Sequence, residues 1–523
     1  MFSFTNTVST FFKKVTVKDI FLLFFTILSF ALTRLTNLLK LPIFSDEGIY
    51  LNWAKIAAHD PAWRFISLTD GKQPLQTWGT LILIKLLPNH TLLAGRLFSV
   101  FFGIVAIVGL FFLCRYLWGK TAGWIGAFVY LFTPYFIFYD RIALVDSAVN
   151  AIFIWILFLA IVLSKSKRLD IALIFGIIAG IGSLAKSTMI LLIFLTSFGF
   201  LYGEKSLLPF NQKKLKSIID YLFLFLIGFF VALCIYQIQR LSPFFHYISQ
   251  KNTTFILTPI EFLANPFQLL KNNLTILPIY IFWESGWFLP SLGIVGYIAL
   301  FKNERNLARF LLVMLLIPTI LVLFFNKVLF PRYVIFLATL LILPSIYLIT
   351  RLNNTYKIKL FYLTLSVIFM IGFTFSLNLQ FRPAQISLPP VDYGQYISGE
   401  TAVWGARELM QEVRTRKGEK KAIILAEGNF GLVADVLQVY LKRDDNIEIK
   451  GLWPLDISDV IKYSQSETTQ SAVFAVFPHR EKFTPDWPMK LIKKYDKPAS
   501  NKALYLFEVL PFGINPEIDD LPH

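Results

Sequence analysis

Ser45-Asp46-Glu47-Gly48-Ile49-Tyr50 places two adjacent carboxylates just beyond an apolar run that begins near residue 20, and Gly71-Lys72-Gln73-Pro74-Leu75 adds a lysine before the next long apolar run. An apolar run of about 18 or more residues crosses a hydrocarbon layer of about 30 Å as a helix. The acidic pair and the lysine therefore fall where the chain leaves a membrane and before it re-enters. Charge at such a boundary is costly to bury, so these residues are functional candidates.

Working outward, the whole chain has this character. Of 523 residues, 56% are hydrophobic, 54 are Phe and 11 are Trp, and the mean hydropathy is +0.61. A water-soluble core cannot hide that much apolar surface, which makes this a polytopic membrane protein. The net charge of +17 does not point to nucleic acid, because the basic residues punctuate the gaps between apolar runs instead of gathering in one patch. Cys114 and Cys234 lie in separate apolar runs, and His59, His90, His246, His479 and His523 show no metal-ligand spacing.

Lys13, Lys14 and Lys18 precede the first run, and no small-residue cleavage site follows it. The first helix is thus retained, with its N-terminus on the cytoplasmic side. Threading the remaining runs gives about eleven transmembrane helices, from residues 20–35 to residues 361–377. The gaps assigned inside are rich in Lys and Arg and poor in Asp and Glu, as the positive-inside rule demands. Residues 36–91 form an outer loop of interfacial helices, with Trp53, Trp63 and Trp78 among charged residues. The apolar stretch holding Gly180, Gly182 and Lys186 goes out and returns as two short helices with Lys186 near the turn. Residues 1–380 are read as the membrane domain. After Pro383, Pro389 and Pro390 the runs shorten to strand length, so residues 381–523 are read as a small extracytoplasmic α/β domain. Its Glu427-Gly428-Asn429-Phe430-Gly431 turn lacks the glycine spacing of a dinucleotide site.

This threading puts Asp46, Glu47, Lys72, Asp140, Arg141, Asp146, Lys186 and Arg332 on one membrane face. Carboxylates and cations gathered at an interface suit transfer of a sugar from a lipid-linked phosphate. A carboxylate takes the proton of an acceptor hydroxyl or holds a divalent metal, while Lys and Arg stabilise the departing phosphate. One such pairing is worth about 4 kcal/mol at about 4 Å and an effective dielectric near 20, before desolvation.

Asp46-Glu47, then Lys72-Gln73-Pro74-Leu75 in place of Lys-Pro-Pro-Leu, then Gly95-Arg96-Leu97-Phe98-Ser99, resembles the polytopic lipid-linked sugar transferases of the GT-C class, in the protein mannosyltransferase and aminoarabinose transferase branch. Asp140-Arg141-Ile142-Ala143-Leu144-Val145-Asp146 is similar to that branch's second acidic motif, and Ala185-Lys186-Ser187 and Pro331-Arg332-Tyr333-Val334 to its later basic elements. The resemblance covers residues 20–350. It implies a GT-C-like membrane fold and an inverting transfer from a polyprenyl-phosphate-linked sugar donor to a glycan, lipid or protein acceptor, on the outer face of the cytoplasmic (inner) membrane. It further implies that Asp46 is the catalytic carboxylate or a metal ligand supported by Glu47, and that Asp146 is the second acidic residue, with Asp46 acting alone or through a divalent metal shared with Asp146. Lys72 would bind the donor phosphate, with Lys186, Arg332 and Arg141 as further cations. The rival expectation is a polytopic transporter or glycolipid flippase, which would place charges near the bilayer midplane and show repeated halves.

Overall fold

The computed structural model describes residues 15–203, 212–353, 357–428, 430–466, 471–478, 480, 483 and 486–511. Lys13, Lys14, Lys205, Asn429, His479 and His523 lie outside them. Among the described residues, six helices are long and apolar enough to cross a membrane: Thr91–Trp118, Asp146–Ser166, Gln212–Leu241, Arg305–Phe325, Pro331–Asn353 and Ile358–Phe381. The protein is a multi-pass membrane protein.

The expected count of eleven is not reproduced by length and composition, and the differences have local causes. Val17–Arg34 is a single helix, but Lys18, Asp19 and Arg34 crowd its ends. The run after Lys120 breaks at Thr133, which adopts extended geometry because Pro134 disfavours a helical predecessor. The stretch around Lys186 forms two short apolar helices, Leu169–Ser183 and Thr188–Gly203, about a turn. The run expected as one span at residues 276–300 is a pair, Leu270–Glu284 and Phe288–Asn303, bent by 105° at Ser285-Gly286-Trp287.

Close approach holds the bundle together. A Cβ on Gly293 would stand 2.0 Å from the Leu341 carbonyl oxygen, so Phe288–Asn303 and Ile335–Asn353 can lie backbone to backbone only with glycine there. At one end of the bundle the helix Val17–Arg34 is tied by buried charge. Arg34 pairs with Asp140 at 3.3 Å, and Asp140 also accepts from Tyr130 and Ser147.

The C-terminal part is a five-stranded mixed sheet in the order β4-β3-β5-β7-β6, with β3 Lys421–Glu427, β4 Ile447–Leu452, β5 Ser471–Phe477, β6 Met489–Asp496 and β7 Ala503–Val509. Strands β3, β4 and β5 are parallel, β7 runs antiparallel to β5, and β6 runs antiparallel to β7. Ile424, Leu506 and Leu437 share one buried face, and Ile423, Phe477 and Trp487 the other. Both faces are covered, as alternating side chains of a parallel core require.

This unit is fastened to the segment quoted first. Ile43–Phe44 (β1) pairs antiparallel with Ala402–Val403 (β2), and Ser45 N–H donates to the Thr401 carbonyl at 2.9 Å. The helix Ser45–His59 packs on Val433–Tyr440: Asn52 donates to Asp435 at 2.8 Å, Lys55 donates to the Gln438 carbonyl at 2.7 Å, and Gly48 lies against Val436. A Cβ on Gly48 would meet the Val436 backbone nitrogen at 3.2 Å and its side chain at 2.8 Å. Gly48→Val is therefore expected to loosen the C-terminal unit, and faster proteolytic cleavage in the 382–401 connection than in the wild type is the measurement that checks it.

Candidate active site

The N-terminus of the helix Ser45–His59 aims two adjacent carboxylates in different directions. Asp46 is part-exposed and accepts from Arg332 Nη2 at 2.8 Å. Arg332 is buried and sits over the rings of Phe44, Phe330 and Tyr333 at 5.1, 5.3 and 5.4 Å. Its other terminal nitrogen faces the Tyr396 hydroxyl at 3.4 Å. Aromatic faces on this cation fix its fork towards Asp46.

Lys72 follows Gly71, whose left-handed backbone (φ 63°) turns the chain against the Tyr247 carbonyl. The Lys72 ammonium lies 4.9 Å from the centre of the Tyr50 ring, 5.7 Å from that of Trp53 and 3.6 Å from Asp70. Tyr50 and Trp53 come from the same helix as Asp46, one turn or two along. Asp70 also holds Lys251 at 2.6 Å. Gln73, the departure from the common motif, donates to the Ser187 hydroxyl at 2.6 Å, and Leu75 N–H to the Leu184 carbonyl at 3.0 Å. The loop carrying Lys72 is thereby docked on the turn carrying Lys186. That lysine pairs with Asp146 at 2.8 Å and lies 4.1 Å from the centre of the Tyr333 ring.

The structure thus brings Asp46, Lys72, Asp146, Lys186 and Arg332 to one aromatic-walled cluster at the end of the bundle that carries the C-terminal sheet. Tyr50 and Tyr396 feel the charges of both Arg332 and Asp146. Burial pushes the Asp46 carboxyl up, but Arg332 and Lys72 outweigh it and hold the group below the usual carboxylate range. Burial lowers the Lys72 ammonium, against the opposing pull of Asp46 and Asp70.

Two expected site residues are placed elsewhere. Glu47 is fully buried and accepts from Arg96 at 3.0 and 2.9 Å, from Phe44 N–H at 3.0 Å and from Ala143 N–H at 2.7 Å. With its oxygens so occupied it positions Asp46 and cannot itself meet a substrate. Arg141 is buried and donates to the carbonyls of Thr33, Thr36 and Asn37. It satisfies the orphan carbonyls where the helix Val17–Arg34 ends, which leaves its terminal nitrogens no phosphate to bind.

Nor does the donor set suit the divalent metal expected between Asp46 and Asp146. Each carboxylate already accepts from a cation at 2.8 Å, and among the described residues no three His, Cys, Asp or Glu gather in a metal-binding group.

Sequence reasoning gave no role to Lys251, Asp70 and Tyr396, and quoted Tyr333 only as part of a motif. Tyr396 lies in the connection after Pro390, read from its prolines as a linker, yet its ring packs on Phe44 at 4.6 Å. Its signal is weak, a tyrosine in a polar stretch. Lys251 was visible only as one charge of a long polar segment.

With this geometry in view, the comparisons with known proteins fall into place. The family model of dolichyl-phosphate-mannose-protein mannosyltransferases matches residues 72–236. The structure resembles ArnT from Cupriavidus metallidurans bound to undecaprenyl phosphate, with a TM-score of 0.61 at 11% identity, covering 96% of this chain and 100% of that one. For apo ArnT from the same organism the values are 0.61, 12%, 95% and 99%. The Archaeoglobus fulgidus oligosaccharyltransferase tethered to an acceptor peptide gives a TM-score of 0.50 at 11% identity, covering 90% of this chain and 70% of that one. No curated protein sequence matches the chain. The fold is that of the GT-C glycosyltransferases. Within that fold it resembles ArnT over nearly the whole of both chains.

Two outcomes follow. Arg332→Gln removes the cation that most lowers Asp46, so the acid limb of any activity governed by that carboxylate should move to higher pH, as a pH–rate profile would show. Glu47→Ala leaves Arg96 buried without its partner and should cost about 3–5 kcal/mol, read as a lowered melting temperature in detergent.

Proposed function

We propose that this chain is an integral membrane glycosyltransferase that moves a sugar from a polyprenyl-phosphate carrier to an acceptor at the extracytoplasmic face of the cytoplasmic membrane. The observation that carries the proposal is the pairing, in one cluster, of an ionised part-exposed carboxylate, Asp46, with the aromatic-held ammonium of Lys72. A transporter would need its charges along the middle of the spans. Here Asp46, Lys72, Asp146 and Arg332 stand at helix starts or in loops.

In the reaction, the acceptor's nucleophilic atom bonds to the anomeric carbon as that carbon's bond to the carrier phosphate oxygen breaks, so the anomeric configuration inverts. Asp46 orients the acceptor's hydroxyl or amine and takes its proton late in the step, consistent with its weak basicity. The bonding electron pair leaves on the phosphate. Lys72 meets that charge, with Lys186 and Lys251 as further cations, and each is pre-placed by a carboxylate or ring and needs no reorganisation. Arg332 holds Asp46 ionised.

The support is the geometry, the GT-C fold and the partial match to a family named for dolichyl-phosphate-mannose donors. Whether the sugar is a hexose or a pentose is a question for a donor panel. The test is transfer by purified protein from a set of polyprenyl-phosphate sugars. Asp46→Asn and Lys72→Ala, each checked for folding, should lower kcat by about 10²–10³ on the pattern of lost transition-state partners. Full activity in both would overturn the assignment.

A further inference from the structure

One cavity in the described structure has a wall that does not include Asp46. It measures about 950 Å³ and is walled by four pieces of chain: residues 39–42, the start of the helix Thr91–Trp118, the helix Ala406–Lys417, and the end of Val433–Tyr440. Four cations, Lys40, Arg407, Arg414 and Lys442, line it against one acid, Glu408. Arg414 is taken by Asp445 at 2.7 Å and by the Tyr440 carbonyl at 2.6 Å. Lys40, Arg407 and Lys442 have no ion pair within 4.0 Å among the described residues. Three cations without an ion pair against one acid leave the hollow net positive, a field that favours an anion.

The backbone agrees. The helices starting at Thr91 and Ala406 both open on the cavity, and neither has a side-chain cap on its first N–H groups. Two sets of orphan donors and two positive helix ends add to the same field. A phosphate offers the matching charge and acceptor oxygens.

The rim shows where the rest of the ligand lies. Leu28 and Leu32 are exposed on the helix Val17–Arg34, Leu35 is exposed at its C-cap, and Leu39, exposed in the turn that follows, is itself part of the cavity wall. Leu92, Leu93 and Val403 add an apolar floor. The hollow thus joins a cationic chamber to exposed apolar side chains on the first helix and the turn that follows it, a combination a soluble phosphate would not use.

We propose that this cavity binds the phosphate headgroup of an anionic membrane lipid, with its acyl chains along Leu28, Leu32, Leu35 and Leu39, as a site separate from the one at Asp46. Residues 39–42 couple the two places, because Arg96 holds the Leu38, Leu41 and Pro42 carbonyls with the same guanidinium that clamps Glu47.

The experiment uses the full chain in nanodiscs of phosphatidylcholine with or without phosphatidylglycerol, with retained lipid read by native mass spectrometry. Wild type should retain phosphatidylglycerol in preference to phosphatidylcholine. Each of Lys40→Ala, Arg407→Ala and Lys442→Ala should weaken that retention about fivefold, and the triple variant should abolish it. Should the triple variant fail to assemble, the Arg407→Gln single variant carries the same fivefold expectation. Lys72→Ala should leave retention unchanged, so failure of the glycosyltransferase reading and failure of this site are told apart. Unchanged retention in the cavity variants would overturn the proposal. Displacement by glycerol phosphate at equal concentration would assign the site to soluble phosphate esters and overturn the lipid.

Discussion

The buried pair of Glu47 and Arg96 is the interaction on which the rest depends. Both side chains are sealed from solvent, and an uncompensated charge in such a place would be very expensive. Between them they use their hydrogen-bonding groups on the carbonyls of Leu38, Leu41 and Pro42 and on the N–H groups of Phe44 and Ala143. One ion pair thereby locks the exit from the first helix, the start of the Asp46 helix and the loop before Asp146. Asp46, the next residue back, is left facing the other way.

That division of labour between neighbouring acids runs through the whole site. Asp140 and Arg141 sit beside each other and are both committed to the end of the first helix, while Asp146, six residues after Asp140, pairs with Lys186 at the cluster. Charges that hold helices are buried and spend their terminal atoms on helix ends and loops. At the cluster, Arg332 and Asp146 are buried but three charges are partly open: Asp46 keeps 30% of its side-chain exposure, Lys72 20% and Lys186 23%. Their aromatic partners supply position without neutralising charge, which leaves Lys72 and Lys186 with donors still to offer.

The C-terminal sheet belongs to this arrangement through covalent and non-covalent routes alike. Its connection lends Tyr396 to Arg332, β2 pairs with the strand that precedes Asp46, and the helix Val433–Tyr440 lies along the Asp46 helix. Phe430 extends the aromatic chain, its ring 6.1 Å from that of Trp53, which in turn stands beside Lys72. The C-terminal unit thus packs against the helix that carries the acid and leaves the Asp46 face towards the cluster.

The membrane class, the acidic and basic motifs and their gathering on one side were legible from the sequence, because hydropathy and charge at span ends are properties of local chain composition. The core strands β3, β4, β5 and β7 were likewise readable from short apolar runs. The β6 strand was not, since Met489–Asp496 is mostly charged and gains its place only by pairing with β7. The number of full spans was not readable either, because Pro134 and the 105° bend at Ser285-Gly286-Trp287 break runs that are unbroken in hydropathy. Above all, Asp46 and Glu47 are indistinguishable as adjacent letters. Only the tertiary structure decided that one is clamped and the other open, because consecutive residues at a helix start point about 100° apart and meet different neighbours.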